Sequence, residues 1–118
     1  MTPFTTTEAA AKFDAALARF VADVQVLVDA HMQRDFPRNP RKVIGVMRGH
    51  RYARITVDDV RDGKPAGQRS CFCFVDSTNG DVLKSESWKA PAKGARGNVY
   101  TYQNVSECVT AYGAHYAR

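Results

Sequence analysis

Apolar residues recur at steps of three and four along the first part of this chain. Phe13, Leu17, Phe20, Val21, Val24, Leu27, Val28 and His31 fall on one stripe, the period of a long amphipathic helix. Thr5 and Glu8 have the spacing of a capping box, which would satisfy free amides at the start of that helix. The helix is expected to end near Arg34, because Pro37 and Pro40 forbid its continuation. Its other face carries Lys12, Asp14, Arg19, Asp23 and Gln25 and is expected to be wet.

The pattern then changes to alternation. Arg41–Arg48 and Arg51–Asp58 read as two strands around a tight Gly49-His50 turn. A two-residue loop there sets Arg48 opposite Arg51, Val46 opposite Ala53 and Ile44 opposite Ile55, so the apolar residues gather on one face with Val57. Val43, Met47, Tyr52, Arg54 and Thr56 take the other face, a half-polar candidate binding surface. Arg61–Arg69 is a polar, turn-rich connection by composition. Arg69–Asp76 and Asp81–Ser87 form a second hairpin around Asn79-Gly80, with Phe72, Phe74 and Leu83 expected on one face. Trp88–Asn98 reads as a loop. Asn104 and Glu107 are spaced to cap a short C-terminal helix with Val105, Cys108, Val109 and Tyr112 as its apolar stripe, ended by Gly113. The predicted architecture is α+β: a long N-terminal helix packed on a four-stranded antiparallel sheet of two hairpins, with a short C-terminal helix.

The 118 residues fit a single domain, 1–118, with one modest core. No apolar run approaches the roughly 20 residues that span a bilayer, and MTPFTTTEAAAKF lacks the pattern of a signal peptide. A protein of the cytoplasm, without membrane contact, is therefore expected. Three cysteines, an odd number, suggest no disulfide framework. Cys71 and Cys73 would point to one face of a strand. Zinc usually needs four ligands, so buried thiols are expected rather than a metal site.

The net charge of +5 is uneven. Residues 1–37 carry three basic and five acidic side chains, a net of −2; residues 38–69 carry nine and three, a net of +6; residues 70–118 carry five and four, a net of +1. A basic middle segment favours polyanionic partners.

The chemistry of bond breaking is poorly represented. A Cys or Ser nucleophile needs a histidine in reach, and His31, His50 and His115 fall on the helix stripe, at a hairpin tip and near the C-terminus. Asp58 and Asp59 are adjacent, so a strand would point them to opposite faces. Asp76 and Asp81 flank a turn. No catalytic residues and no cofactor are expected.

Binding chemistry is better represented. Gly94 and Gly97 bracket Arg96 in GARGN; glycines let successive amides converge on an anion, and arginine grips phosphate with a fork. Trp88, Lys89 and Lys93 lie on the same excursion, and a tryptophan at a strand exit can serve as a stacking platform. Trp88, Lys89, Lys93, Arg96, Gly97 and Asn98 are the candidate ligand residues, with Tyr52, Arg54 and Arg48 extending the surface onto the sheet.

The run FVDSTNGDVLKSESWKAPAKGARGNVY, with the terminal YGAHYAR, resembles a group of small uncharacterised proteins encoded by tailed bacteriophages. The resemblance is most specific over 74–100. It implies a phage or prophage origin and action inside the infected bacterium, and it transfers no catalytic residues. Together these readings predict a non-enzymatic phage accessory protein that binds single-stranded nucleic acid. The alternatives are an inhibitor of a host (anti-defence) protein, a sequestering protein for a small nucleotide signal, and a virion structural or assembly protein. Either a monomer or a homodimer joined through the helix stripe is compatible with the pattern.

Overall fold

The structure, a computed structural model, describes residues 6–115. Helix α1 spans Thr6–Asp35; the strands are β1 Lys42–Arg48, β2 Tyr52–Arg61, β3 Lys64–Pro65, β4 Ser70–Asp76, β5 Asp81–Ser85, β6 Pro91–Asn98, β7 Val109–Thr110 and β8 Gly113–Ala114, with one 3-10 turn at Val105–Glu107. The main sheet has six strands, in the order β1-β2-β4-β5-β6 with β3 on the end of β2, and β7 and β8 form a small separate hairpin. The α+β class holds. The sheet is larger than the four strands expected, and the C-terminal helix is a single 3-10 turn. Thr5, half of the expected capping box, lies outside the described residues.

The apolar stripe of α1 covers one sheet face. Phe13, Leu17, Phe20, Val24 and Val28 join Ile44, Ala53, Ile55, Cys73, Val75 and Val82 in a single core, which the C-terminal segment closes with Tyr102, Val105, Cys108 and Val109. On the polar face of α1, Lys12, Asp14 and Arg19 are exposed as expected, whereas Asp23 and Gln25 are half-buried against neighbours. Gln25 Nε2 donates to Lys42 O at 2.9 Å and Gln25 Oε1 accepts from Ile44 N at 2.8 Å, so one side-chain amide occupies part of the open edge of β1. That contact blunts an edge otherwise free to pair with another chain. Tyr102 Oη donates to Asp23 Oδ2 at 2.5 Å, and Arg19 lies over the Tyr102 ring, 4.3 Å from its centroid.

The first hairpin differs from the expected pairing by two residues. Arg48 faces Ala53, Val46 faces Ile55 and Ile44 faces Val57, while Gly49 N donates to Tyr52 O, so the loop is His50-Arg51. A shift of two preserves which face each side chain takes. Two further differences concern elements read as connection or loop. Asp62 and Gly63, at φ 54° and 75°, turn the chain so that Lys64–Pro65 pair back on Val60–Arg61. Residues 91–98 of the expected Trp88–Asn98 loop form edge strand β6, joined to β5 by two register shifts.

A bulge in β4 overturns another expectation. Ile55 faces Cys73 and Thr56 faces Cys71, which leaves Phe72 as the extra residue. Phe72 and Cys73 therefore both join the core. Phe74 and its partner Leu83 fall with Arg54 on the outer face. Cys71 and Cys73 consequently do not share a face.

At the C-terminus the cap was legible and the helix length was not. Asn104 Oδ1 accepts from Ser106 N at 3.0 Å and Glu107 Oε2 accepts from Asn104 N at 2.8 Å, a complete capping box. The β-branched pair Val109-Thr110 then runs as a strand against Gly113-Ala114. Gly113, at φ 137°, lies where an added Cβ would meet Phe72 O at 2.7 Å. Tyr112, expected in the buried stripe, is 74% exposed.

Two residues brace the ends of the sheet. Gly97 lies so close to the C-terminal segment that a Cβ would meet Cys108 Sγ at 2.3 Å. Gly97→Ala is expected to destabilise the fold by about 1–3 kcal/mol, the usual cost of overpacking, read as a lower urea midpoint. Asp76 accepts from Arg51 Nη2 at 3.1 Å, Thr78 N at 2.9 Å and Thr78 Oγ1 at 2.6 Å. Burial alone would raise its pKa, but Thr78 and the Arg51 guanidinium outweigh it and hold the carboxyl below its usual range. A depressed carboxylate stabilises the fold above its unfolded pKa and loses that contribution as pH falls through the folded value. Asp76→Asn is therefore expected to cost about 1–3 kcal/mol at pH 7, with the gap to the parent chain closing below about pH 4. Urea titrations across that range check it; a gap independent of pH would contradict it.

Candidate functional site

The outer sheet face, opposite α1, gathers an aromatic and cationic cluster. Phe74 and Leu83, both nearly buried, pair across β4 and β5. Tyr52 meets Phe74 edge to face, with centroids 6.1 Å apart. Arg54 lies over two rings, 4.5 Å from the centroid of Trp88 and 5.6 Å from that of Phe74, and its Nε donates to Trp88 O at 2.8 Å. Cation–π attraction and a charge-assisted hydrogen bond thus fix Trp88 to the sheet. The indole remains 39% exposed.

The turn that carries Trp88 is built by serines. Ser87 Oγ accepts from Lys89 N and Ala90 N, each at 3.2 Å, while Ser85 Oγ donates to Ser87 O at 2.8 Å. Glu86 N and Ser87 N both donate to Ala90 O at 3.1 Å. Lys89 follows Trp88 directly and is exposed, as is Lys93 on β6.

The structure brings Tyr52, Arg54 and Trp88 into one cluster, with Lys89 next along the turn. It separates the other candidates. Arg48 is on the helix side, where Nη1 donates to Asp14 Oδ1 at 2.6 Å and the guanidinium lies 5.1 Å from the Phe13 centroid. Arg96 donates to three backbone carbonyls, Gly94 O at 3.0 Å, His115 O at 3.1 Å and Lys93 O at 3.3 Å, and so ties β6 to the C-terminal segment. Gly97 packs on Cys108. Asn98 Nδ2 donates to Asn79 O at 2.9 Å and Asp81 Oδ1 at 3.1 Å, and its Oδ1 accepts from Tyr100 N at 2.8 Å. Sequence proximity grouped Arg96, Gly97 and Asn98 with Trp88; their contacts in the fold are those of a brace.

Folding also redistributes the charge. Arg41 pairs with Asp29 at 3.3 Å, Arg51 with Asp76 at 3.1 Å, and both Lys42 and Arg61 with Asp59. Hydrogen bonding from Lys42 holds the Asp59 carboxyl below its usual range. Much of the basic middle segment is thereby matched by acids of α1, β2 and β4. Arg38, Lys64, Arg69, Lys89 and Lys93 are exposed and stand outside these ion pairs.

Burial pushes the thiols of Cys71, Cys73 and Cys108 all upward, the opposite of what a thiolate nucleophile or ligand needs. Among the described residues no group of three or more His, Cys, Asp or Glu could hold a metal ion. No helix among them is long and apolar enough to cross a membrane.

Sequence reasoning missed one polar constellation altogether. A groove of about 690 Å³ runs between α1 and the C-terminal segment, lined among others by Val26, His31, Arg34, Ser106, Val109 and His115. His31, on its wall, also meets Tyr112 outside the lining, with Nε2 2.9 Å from Oη across 81 residues of sequence. No local spacing signals such a pair.

No curated protein and no solved structure matches this chain. A family model does, over residues 5–116. The chain therefore belongs to the Family of unknown function (DUF7717).

Proposed function

We propose that this chain binds single-stranded nucleic acid on its outer sheet face. The observation that carries this reading is the placement of Arg54 over both Trp88 and Phe74, which fixes a partly exposed indole beside a cation. Trp88 offers the stacking platform, worth roughly 1–3 kcal/mol per base. Arg54 orients it, and Tyr52 extends the aromatic surface. Lys89 and Lys93 neutralise phosphates along the strand, so affinity falls with salt. An accessory role in a phage-infected bacterium is part of the same proposal.

Trp88 is the only tryptophan, so its fluorescence reports on the site directly. Titration with oligo(dT) is expected to quench it in a salt-dependent manner. Trp88→Ala, followed by anisotropy of a labelled strand, should weaken binding about 5- to 150-fold, the equivalent of one lost stack. Lys89→Ala with Lys93→Ala should lower the slope of log K against log salt by about 1.4, at roughly 0.7 per single-strand phosphate contact. Arg48→Ala, on the helix side, should leave binding unchanged. Unquenched Trp88, or binding that ignores salt, would sink the proposal.

A further inference from the structure

Asp58 carries a buried carboxylate that is only half satisfied. The residue is 5% exposed. Its Oδ2 accepts from Gly67 N at 2.8 Å, whereas Oδ1 is buried and has no hydrogen-bond partner among the described residues. The neighbouring acids differ. Asp59 is matched by Lys42 and Arg61, and Asp76, likewise buried, is matched by Arg51. Among the described residues no cation forms an ion pair with Asp58. Buried charges in proteins are paired or coordinate metals, and an unsatisfied buried atom calls for a bound water or ion.

The sheet builds a pocket around this oxygen. β4 pairs with β2 only as far as Val57, and β3 pairs with it only from Val60. Beside residues 58 and 59 the ladder therefore has a gap. Ala66 N donates to Asp59 O at 2.8 Å, and Gly67, at φ 86°, turns its amide onto Asp58; glycine takes that backbone angle without steric cost. The gap becomes a pocket of about 190 Å³, lined by Asp58, Gln68, Ser70 and the Lys42–Asp59 pair, with Val57 and Ala66 as its apolar walls.

We propose that this pocket binds a hard divalent cation of the magnesium and calcium class. Asp58 Oδ1 is its charged ligand, and Gln68 Oε1 and Ser70 Oγ are neutral ones. All three donors are oxygens, which such cations prefer. Magnesium is commonly held by one or two carboxylates and keeps several of its waters, so the site needs no cluster of acids or histidines. An organic ammonium fits less well, because its carbon stem would find little apolar wall beyond Val57 and Ala66. A water would satisfy Oδ1 as an acceptor and leave the charge of the carboxylate unmatched. Lys42 is the cation of the lining, and Asp59 already matches it, so the pair adds little net charge. The site is built on β2 and the segment that follows β3, and it does not depend on the nucleic-acid reading.

Manganese(II) serves as the probe, because it shares this oxygen chemistry and broadens the NMR signals of nearby amides. Substoichiometric Mn²⁺ added to the full chain is expected to erase the amide signals of Asp58, Gly67, Gln68 and Ser70 first. Excess Mg²⁺ or Ca²⁺ should restore them. Asp58→Asn keeps an acceptor for Gly67 N and should lose the selective broadening. Gln68→Ala with Ser70→Ala, both at exposed positions, should weaken it while Asp58 stays in place, a check that holds even where Asp58→Asn fails to fold. Asp81→Asn, outside the pocket, should leave it unchanged. A pocket that takes only water would leave these amides sharp as Mn²⁺ is added. An adventitious ion only, held by scattered surface carboxylates, would broaden signals elsewhere and survive Asp58→Asn. Either result would overturn the proposal.

Discussion

One extra residue in β4 sets the character of both sheet faces. With Phe72 bulged between the pairs Ile55–Cys73 and Thr56–Cys71, two consecutive residues, Phe72 and Cys73, enter the helix-side core. Every side chain before the bulge shifts face relative to simple alternation. Phe74 then stands on the outer face beside Arg54, and it supplies the apolar footing on which the Arg54–Trp88 contact is built. Without the bulge, Phe72 and Phe74 would lie together on one face, and the outer face would lose either its ring or its register. Bulges re-aim side chains at binding surfaces in this way.

A second constraint is electrostatic. The acids of α1 and the arginines of the first hairpin are far apart in sequence and meet across the helix–sheet junction, as in Arg48–Asp14 and Arg41–Asp29. Exposed pairs of this kind contribute at most about 1 kcal/mol each. Their larger consequence is to remove those arginines from the pool available to a polyanion. What remains exposed includes Lys89 and Lys93, close in sequence to Trp88.

The helix was legible because its signal is local: a period near 3.6 over eight residues specifies both element and face, and Phe13 through Val28 are buried accordingly. The first hairpin kept its faces despite the wrong loop, since a slip of two preserves parity. The bulge had no sequence signal, so Phe72, Phe74 and the cysteine pair were misassigned by an alternation rule that a single residue defeats. Arg96, Gly97 and Asn98 looked like an anion loop by composition, and only the distant Cys108, His115 and Asn79 reveal their bracing role. Trp88, Tyr52 and Arg54 were found together because each marked a face or a strand exit. The His31–Tyr112 contact joins elements 81 residues apart, beyond the reach of any pattern in one sequence.

The outer face, with its Arg54-anchored indole, is the proposed surface for nucleic acid. Amide and indole NMR shifts during titration with a short oligo(dT) test it most directly, residue by residue. Perturbations are expected at the Trp88 indole and at the amides of Tyr52, Arg54, Lys89 and Lys93, with α1 left unchanged. Perturbations confined to α1 and the C-terminal segment, or none at saturating strand, would contradict it.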